Sequence, residues 1–324
     1  MKKCKILIIL LFIVMLTVVS SGCYTERMRF FENPDNNSYY VVNGRGSLAG
    51  DIIIPSEYRG KPITKINDNA FNGWNEMTSI TIPYNITEIG ERAFEGCLSL
   101  KEIIVDAKNP KYSSFDGNLY NKTGTELIRY AMGKTEEVFL IPNCVRVIEL
   151  FSFEKCRNLK YVIIAESVTD INTCAFYMCE NLEMLIIPKN VERISASIIL
   201  NCTNLKTIYC ESKLQPEGWI NNRSSRWNRD GVKVVWDARW IDFDSQGGSF
   251  TQPLAGCKGE DISEPVEPVK NDYVFDGWYQ IDIDMNNNGK YEPYGGDTLF
   301  SERYNFTVIP DDSITLYAKW IQKN

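Results

Sequence analysis

From residue 66 to residue 209 the apolar positions of the chain recur every 23 residues. Ile66 and Ile89 are continued, after a gap, by Ile148, Ile171 and Ile194, and Phe71 and Phe94 by Phe153, Phe176 and Ile199. Met77 and Leu100 lead to Leu159, Leu182 and Leu205, and Trp74 and Cys97 to Cys156, Cys179 and Cys202. Five copies fit the template I-x-I-P-x-x-V-x-x-I-x-x-x-A-F-x-x-C-x-x-L-x-x-I with local exceptions. The alternation within L-x-x-I-x-I predicts a short strand in every copy, with Ile80 and Ile82 facing inward and Thr81 outward. No copy buries its apolar side alone, so the copies stack as coils of a solenoid around one continuous core. Unrelated amphipathic segments would have no reason to keep one phase.

A period in the twenties with aliphatic residues at these offsets is the signature of a leucine-rich repeat. The template resembles the BspA-like leucine-rich-repeat family of bacterial surface proteins. The resemblance extends to the entry segment, residues 39–71, and to a long turn, residues 109–134, between the second and third clear copies. It also covers the closing segment "KLQPEGWINNRSSRWNRDGVKVVW", which is similar to the family's end cap. A cap is expected, since an open coil end exposes core and strand edge. From Trp240 the pattern changes. "IDFDSQGGSF", "EPVEPVKNDYVFDGWY" and "SITLYAKW" resemble an internalin B-repeat, which implies a small β-rich module of β-grasp form. Asp272-Tyr273 departs from the Gly-Tyr usual there, and residues 282–297 are extra. The resulting fold class is mostly β. A tether at 23–38 leads to the solenoid at 39–237, with an insert at 106–136 and a cap at 213–236. A β-grasp-like domain follows at 238–324.

The N-terminus has its own pattern. Lys2, Lys3 and Lys5 precede an apolar run from Ile6 to Val19, signal-peptide length and short for a membrane span. Ser20, Ser21 and Gly22 then lead to Cys23. This resembles a bacterial lipoprotein signal at residues 1–22, cut before a cysteine that receives lipid. Ser20 departs from it, since an aliphatic residue is usual at that place. Ordinary secretion and an uncleaved anchor are the alternatives. All three place the chain outside the cytoplasm, and lipid on Cys23 would hold it to the membrane.

Composition narrows the chemistry. The 324 residues are 44% hydrophobic and contain no histidine, the commonest general base and zinc ligand. The formal charge of −7 becomes −10 if the three leader lysines are removed, and residues 240–324 alone hold 15 acids against 6 bases. A near-neutral body with an acidic tail gives no electrostatic case for nucleic acid. There is no G-x-S-x-G and no phosphate-binding glycine loop, and we expect no enzyme. The repeated cysteines sit where each coil turns into its strand and suit small buried thiols, although stacked coils also allow a bridge. Asp284, Asn286, Asn288, Lys290 and Glu292 follow the opening of a calcium loop. Gly295 stands where the closing bidentate Glu belongs, so the loop reads either as a Ca2+ site or as an Asn-rich turn without an ion.

The strand register also defines a candidate binding face. Thr81, Ile104, Ile163, Ile186 and Tyr209 form one outward column, and Ser79, Glu102, Tyr161, Met184 and Thr207 its neighbour. Tyr161, Ile163, Met184, Ile186 and Tyr209 would together form an apolar, aromatic-bearing patch, flanked by Glu102, Lys160, Glu183 and Lys206. The patch reads as a protein-binding surface or as a sheet-favouring ladder covered by the insert. The family resemblance implies adhesion to host, matrix or neighbouring-cell proteins. The rival is glycan or cell-wall binding through Trp219, Trp227, Trp278 and Tyr279, and a third reading is a structural spacer.

Overall fold

The computed structural model describes residues 28–44, 48–222, 225–228, 230–281 and 300–323. They contain strands and turns and no helix. The chain divides into two compact units, one comprising Met1–Lys206 with Pro216–Val232 and the other Thr207–Gln215 with Lys233–Asn324.

The first unit is the coil stack. On one side, Gly50–Ile53, Met77–Ile82 and Glu102–Val105 form a parallel ladder, as do Val138–Leu140, Tyr161–Ile163 and Met184–Ile187. The pairing steps by one repeat: Tyr161 lies beside Met184, Val162 beside Leu185 and Ile163 beside Ile186. On the other side, two-residue strands keep the same step, with Val147, Asp170 and Arg193 side by side. Between the two sides run the repeated aromatics. Phe71 stacks on Phe94 at 5.8 Å and Phe153 on Phe176 at 4.9 Å. The inward residues Ile80, Ile82, Val162, Ile164, Leu185 and Ile187 are buried, as the alternation predicts. Fully burying such a side chain contributes roughly 1.5–3 kcal/mol relative to leaving it exposed.

The insert holds a further coil that the template does not reveal. Tyr130, 23 residues before Phe153, stacks on it at 5.4 Å, and Leu127 pairs with Ile148. Gly133 takes the cysteine position because the backbone comes too close for any side chain. A Cβ there would stand 2.3 Å from the carbonyl carbon of Ser99, and the Gly133 N–H donates to the Leu100 carbonyl at 2.7 Å. Arg129 anchors this coil to both neighbours. Its guanidinium donates to the carbonyls of Glu91 and Phe151 and faces the buried Glu154 carboxylate at 3.6 Å. The earlier half of the insert is a hairpin, Tyr112–Phe115 with Asn118–Asn121, turning through Asp116 and Gly117, both left-handed.

Each of the five template copies also has a left-handed residue just before the cysteine position. Gly73 and Gly96 supply it in the first two copies, whereas Lys155, Met178 and Asn201 do so in the last three. A non-glycine residue pays roughly 1–2 kcal/mol in steric strain for this conformation. The cysteine thiols close the turn. Cys97 Sγ lies 3.1 Å from the Phe71 carbonyl, Cys179 Sγ 2.9 Å from that of Phe153, and Cys202 Sγ 2.9 Å from that of Phe176. All eight cysteines among the described residues are unbridged, and Cys97, Cys156, Cys179 and Cys202 are buried. Burial pushes the Cys97 thiol up to about 12 and raises Cys179 well above the usual thiol range. These groups are packing elements, not nucleophiles.

The second unit contains a five-stranded mixed sheet. Its order is Leu254–Cys257, Ala238–Asp244, Ile314–Gln322, Tyr273–Ile281, Phe300–Arg303, with the central Ala238–Asp244 and Ile314–Gln322 parallel. The first and last strands of the sheet's longer members, Ala238–Asp244 and Ile314–Gln322, thus lie side by side. Ile241, Phe243, Trp278, Leu316 and Ala318 make its core. Thr207–Cys210 and Lys233–Val235 pair in parallel in the same unit.

Candidate functional site: the strand face

Alternation along each strand fixes which side chains point away from the core, and the columns fall as the register predicts. Ile53, Thr81 and Ile104 stand side by side in the ladder before the insert, and Leu140, Ile163 and Ile186 in the ladder after it. Their exposure does not follow. Ile104 is 39% exposed and Leu140 53%, whereas Ile163 is 9% and Ile186 0%. Tyr161 is buried as well, and Met184 and Tyr209 are half-buried. The expectation of an open patch at Tyr161, Ile163 and Ile186 is therefore corrected. Lateral neighbours supply part of the cover, Leu140 beside Ile163 and Ile163 beside Ile186. The strands of the insert pair with one another and with Val147–Ile148 in the short-strand ladder.

Electrostatics around Tyr161 agree with a closed position. Its hydroxyl donates to Glu183 Oε2 at 3.0 Å. Burial, then the Glu183 carboxylate, pushes it up to about 12. Lys160 pairs with Glu137 at 2.8 Å, so of the polar flank Glu102, Glu183 and Lys206 stand exposed without an ion pair among the described residues. Burial also raises Tyr209, with Glu260 adding to it.

The open part of the face lies at the insert. The hairpin caps the outer edge of Glu102–Val105: Ile103 N–H donates to the Gly117 carbonyl at 2.8 Å and Val105 N–H to Ser114 Oγ at 3.0 Å. This satisfies an edge that would otherwise pair with another chain. It also places Phe115, 66% exposed, at the hairpin tip. Lys134 fixes the tip by donating to the Asp116 carbonyl at 2.7 Å and to its carboxylate at 2.9 Å. A hollow of about 440 Å³ lies between this tip and Ile104, walled by Lys101, Glu102 and Ser114. Phe115 lies in the non-repeating stretch, where no column predicts it, whereas Leu140 stands 23 residues before Ile163 and continues that column, a position the five-copy count passes over. The one sequence signal at Phe115 is an apolar residue beside the turn pair Asp116-Gly117.

The other candidate positions divide. Trp219, Trp227 and Trp278 are buried and Tyr279 nearly so, which removes the aromatic platforms considered for sugar stacking. Trp219 and Trp227 meet edge-to-face at 5.0 Å in the cap, and Trp219 Nε1 donates to the Val191 carbonyl. The Asp284–Glu292 loop and Cys23 lie outside the described residues. Among the described residues no group of three or more Cys, Asp or Glu side chains is placed to hold a metal ion.

Comparison with known proteins bears on the repeats. The model of the BspA type leucine rich repeat region matches residues 50–124 and 130–219 in six copies, slightly more than half of the chain. The Listeria-Bacteroides repeat domain matches residues 240–292. A leucine-rich repeat protein of Eubacterium ventriosum is 21% identical, with 68% of this chain and 77% of that one aligned at a TM-score of 0.37. The pneumococcal vaccine antigen PcpA is 15% identical over 64% of this chain and 85% of its own, also at 0.37. A relative in Evansella cellulosilytica, whose name describes a Gly-rich membrane protein, is 29% identical over 117 residues, 32% of this chain. The chain spans 12% of the length of that relative and 10% of a second from the same organism.

Proposed function

The chain belongs to the BspA-type leucine-rich-repeat family, and on that footing we propose that it is a non-enzymatic bacterial surface protein that binds another protein through the open part of its strand face. The observation that carries this is the exposure of Ile104, Phe115 and Leu140 on or beside the two ladders that flank the insert. Large apolar side chains grouped on a surface mark interaction sites, and aromatic anchors dominate their energetics. The hairpin is held by Lys134 and by backbone bonds, so the face binds without first having to order itself. Adhesion to matrix or neighbouring-cell proteins is the role that fits such a face, with Glu102 and Lys101 at its rim setting specificity.

The test compares immobilised wild-type protein with Ile104→Ser/Phe115→Ser/Leu140→Ser against purified extracellular-matrix proteins and whole bacterial cells. All three side chains are exposed, so the variant keeps its thermal midpoint. Binding weakens at least tenfold if the reading holds; unchanged affinity for the same target removes the strand face as the site. Anchoring through lipid on Cys23 belongs to the same proposal. Cys23→Ala would move the protein from the membrane to the soluble fraction, and no change in fractionation would sink the lipid anchor.

A further inference from the structure

On the opposite side of the stack the insert opens a cleft of about 400 Å³. It exists because the short-strand ladder is interrupted there. Glu88–Ile89 pairs with Lys61–Ile66 on one side, but on the other the Ile89 N–H donates to the Tyr112 hydroxyl at 3.1 Å, a side chain standing in for a strand. The ladder resumes with Glu126–Arg129. Phe94, Leu119 and Ile128 give the cleft apolar walls, and Glu91, Glu126 and Glu149 line its mouth against Lys111 alone.

Elsewhere along these short strands the charges pair with their neighbours. Lys65 meets Glu88, and Arg193 Nη2 donates to Asp170 Oδ2 at 2.7 Å. Glu126 occupies the same row but lies beside Val147, and it makes no ion pair among the described residues. Glu91 makes none either, and the Glu149 carboxylate accepts only from Asn172 Nδ2, at 2.9 Å. Arg129, at the back of the cleft, is committed to Glu154 and to two carbonyls and does not neutralise the mouth.

We propose that this cleft is a second binding site, which takes a lysine or arginine side chain of an extended peptide segment in a partner protein. The walls suit the methylene stem and the unpaired carboxylates the charged head. An anionic ligand is disfavoured by the same three carboxylates. The site deepens the protein-binding reading, yet it lies on a different face, so its failure and that of the strand face are separable.

The probe is the peptide Ac-Val-Lys-Val-Lys-Val-NH2, titrated into the full chain at low salt by saturation-transfer NMR, with Ac-Val-Glu-Val-Glu-Val-NH2 as control. The lysine peptide should bind saturably and the glutamate peptide not. Glu91→Gln/Glu126→Gln, two solvent-reaching positions, should weaken binding about fivefold, while Lys111→Ala should tighten it about twofold. Circular dichroism confirms that each variant is folded. Absence of saturable lysine-peptide binding, equal binding by the double variant, or equal binding of the glutamate peptide would each overturn the site, whatever the strand-face variant does.

Discussion

The strand faces on the two sides of the insert obey one register and reach opposite ends. Before it, Ile53, Thr81 and Ile104 stand in a row that water reaches; after it, exposure falls from Leu140 through Ile163 to none at Ile186. The template thus dictates which way a side chain points and leaves open whether anything lies over it. The insert separates the two halves, and its own residues decide where the open surface ends.

The largest expected effect is at the join between them. Arg129→Ala leaves the buried Glu154 carboxylate with only the half-buried Lys155, at 3.5 Å, as counter-charge among the described residues, and should cost about 3–5 kcal/mol in denaturant titration. Arg129→Met/Glu154→Leu should recover most of that, because a matched apolar pair carries no unpaired charge. A loss no greater than that of a surface substitution would show that the pair is not buried. Next comes the contrast itself. Ile186→Ser removes buried apolar volume and buries a hydroxyl, at about 3 kcal/mol, whereas Ile104→Ser should stay within about 0.5 kcal/mol. Equal effects would erase the difference between the halves.

A smaller pair of changes separates the coils by their turns. Gly96→Ala places a Cβ at a left-handed position and should lose about 1 kcal/mol, while Met178→Gly relieves that strain and should gain about 0.5–1 kcal/mol. If both destabilise equally, side-chain contacts of Met178 outweigh its backbone strain. Least visible at neutral pH is the thiol titration. Cys97 keeps its proton up to about 12 in the folded chain but loses it near the ordinary thiol value when unfolded. The folded state therefore holds the extra proton in that alkaline window, and stability falls as pH rises through it. Cys97→Ala should flatten this slope and leave the curve below pH 8 parallel to wild type.

Much of the stack was legible because each coil must present the same core to the next. Phe71, Phe94, Phe153 and Phe176 are spaced by that requirement, and the inward residues Ile80 and Ile82 follow from the period of a strand. The coil inside the insert was not legible. Tyr130 keeps the phase of Phe153, but Leu127 lies two residues off the phase of Ile148, Arg129 breaks the apolar pattern, and Gly133 replaces the cysteine to let two backbones meet. The binding face was half legible. Alternation pointed Ile104, Ile163 and Ile186 the same way, but exposure is a property of what surrounds a residue. Phe115, outside the template, carried no periodic signal, whereas Leu140 keeps the phase of Ile163 and Ile186.

Carbene footprinting of the free chain, read residue by residue, distinguishes a strand face open at the insert and closed beyond it from one that is open throughout. Strong labelling is expected at Ile104, Phe115 and Leu140, little at Tyr161, Ile163 and Ile186, and loss of the first set when a captured protein partner is added. Equal labelling of Ile163, Ile186 and Leu140 in the free chain, or a bound partner that leaves Phe115 and Leu140 fully labelled, would contradict this.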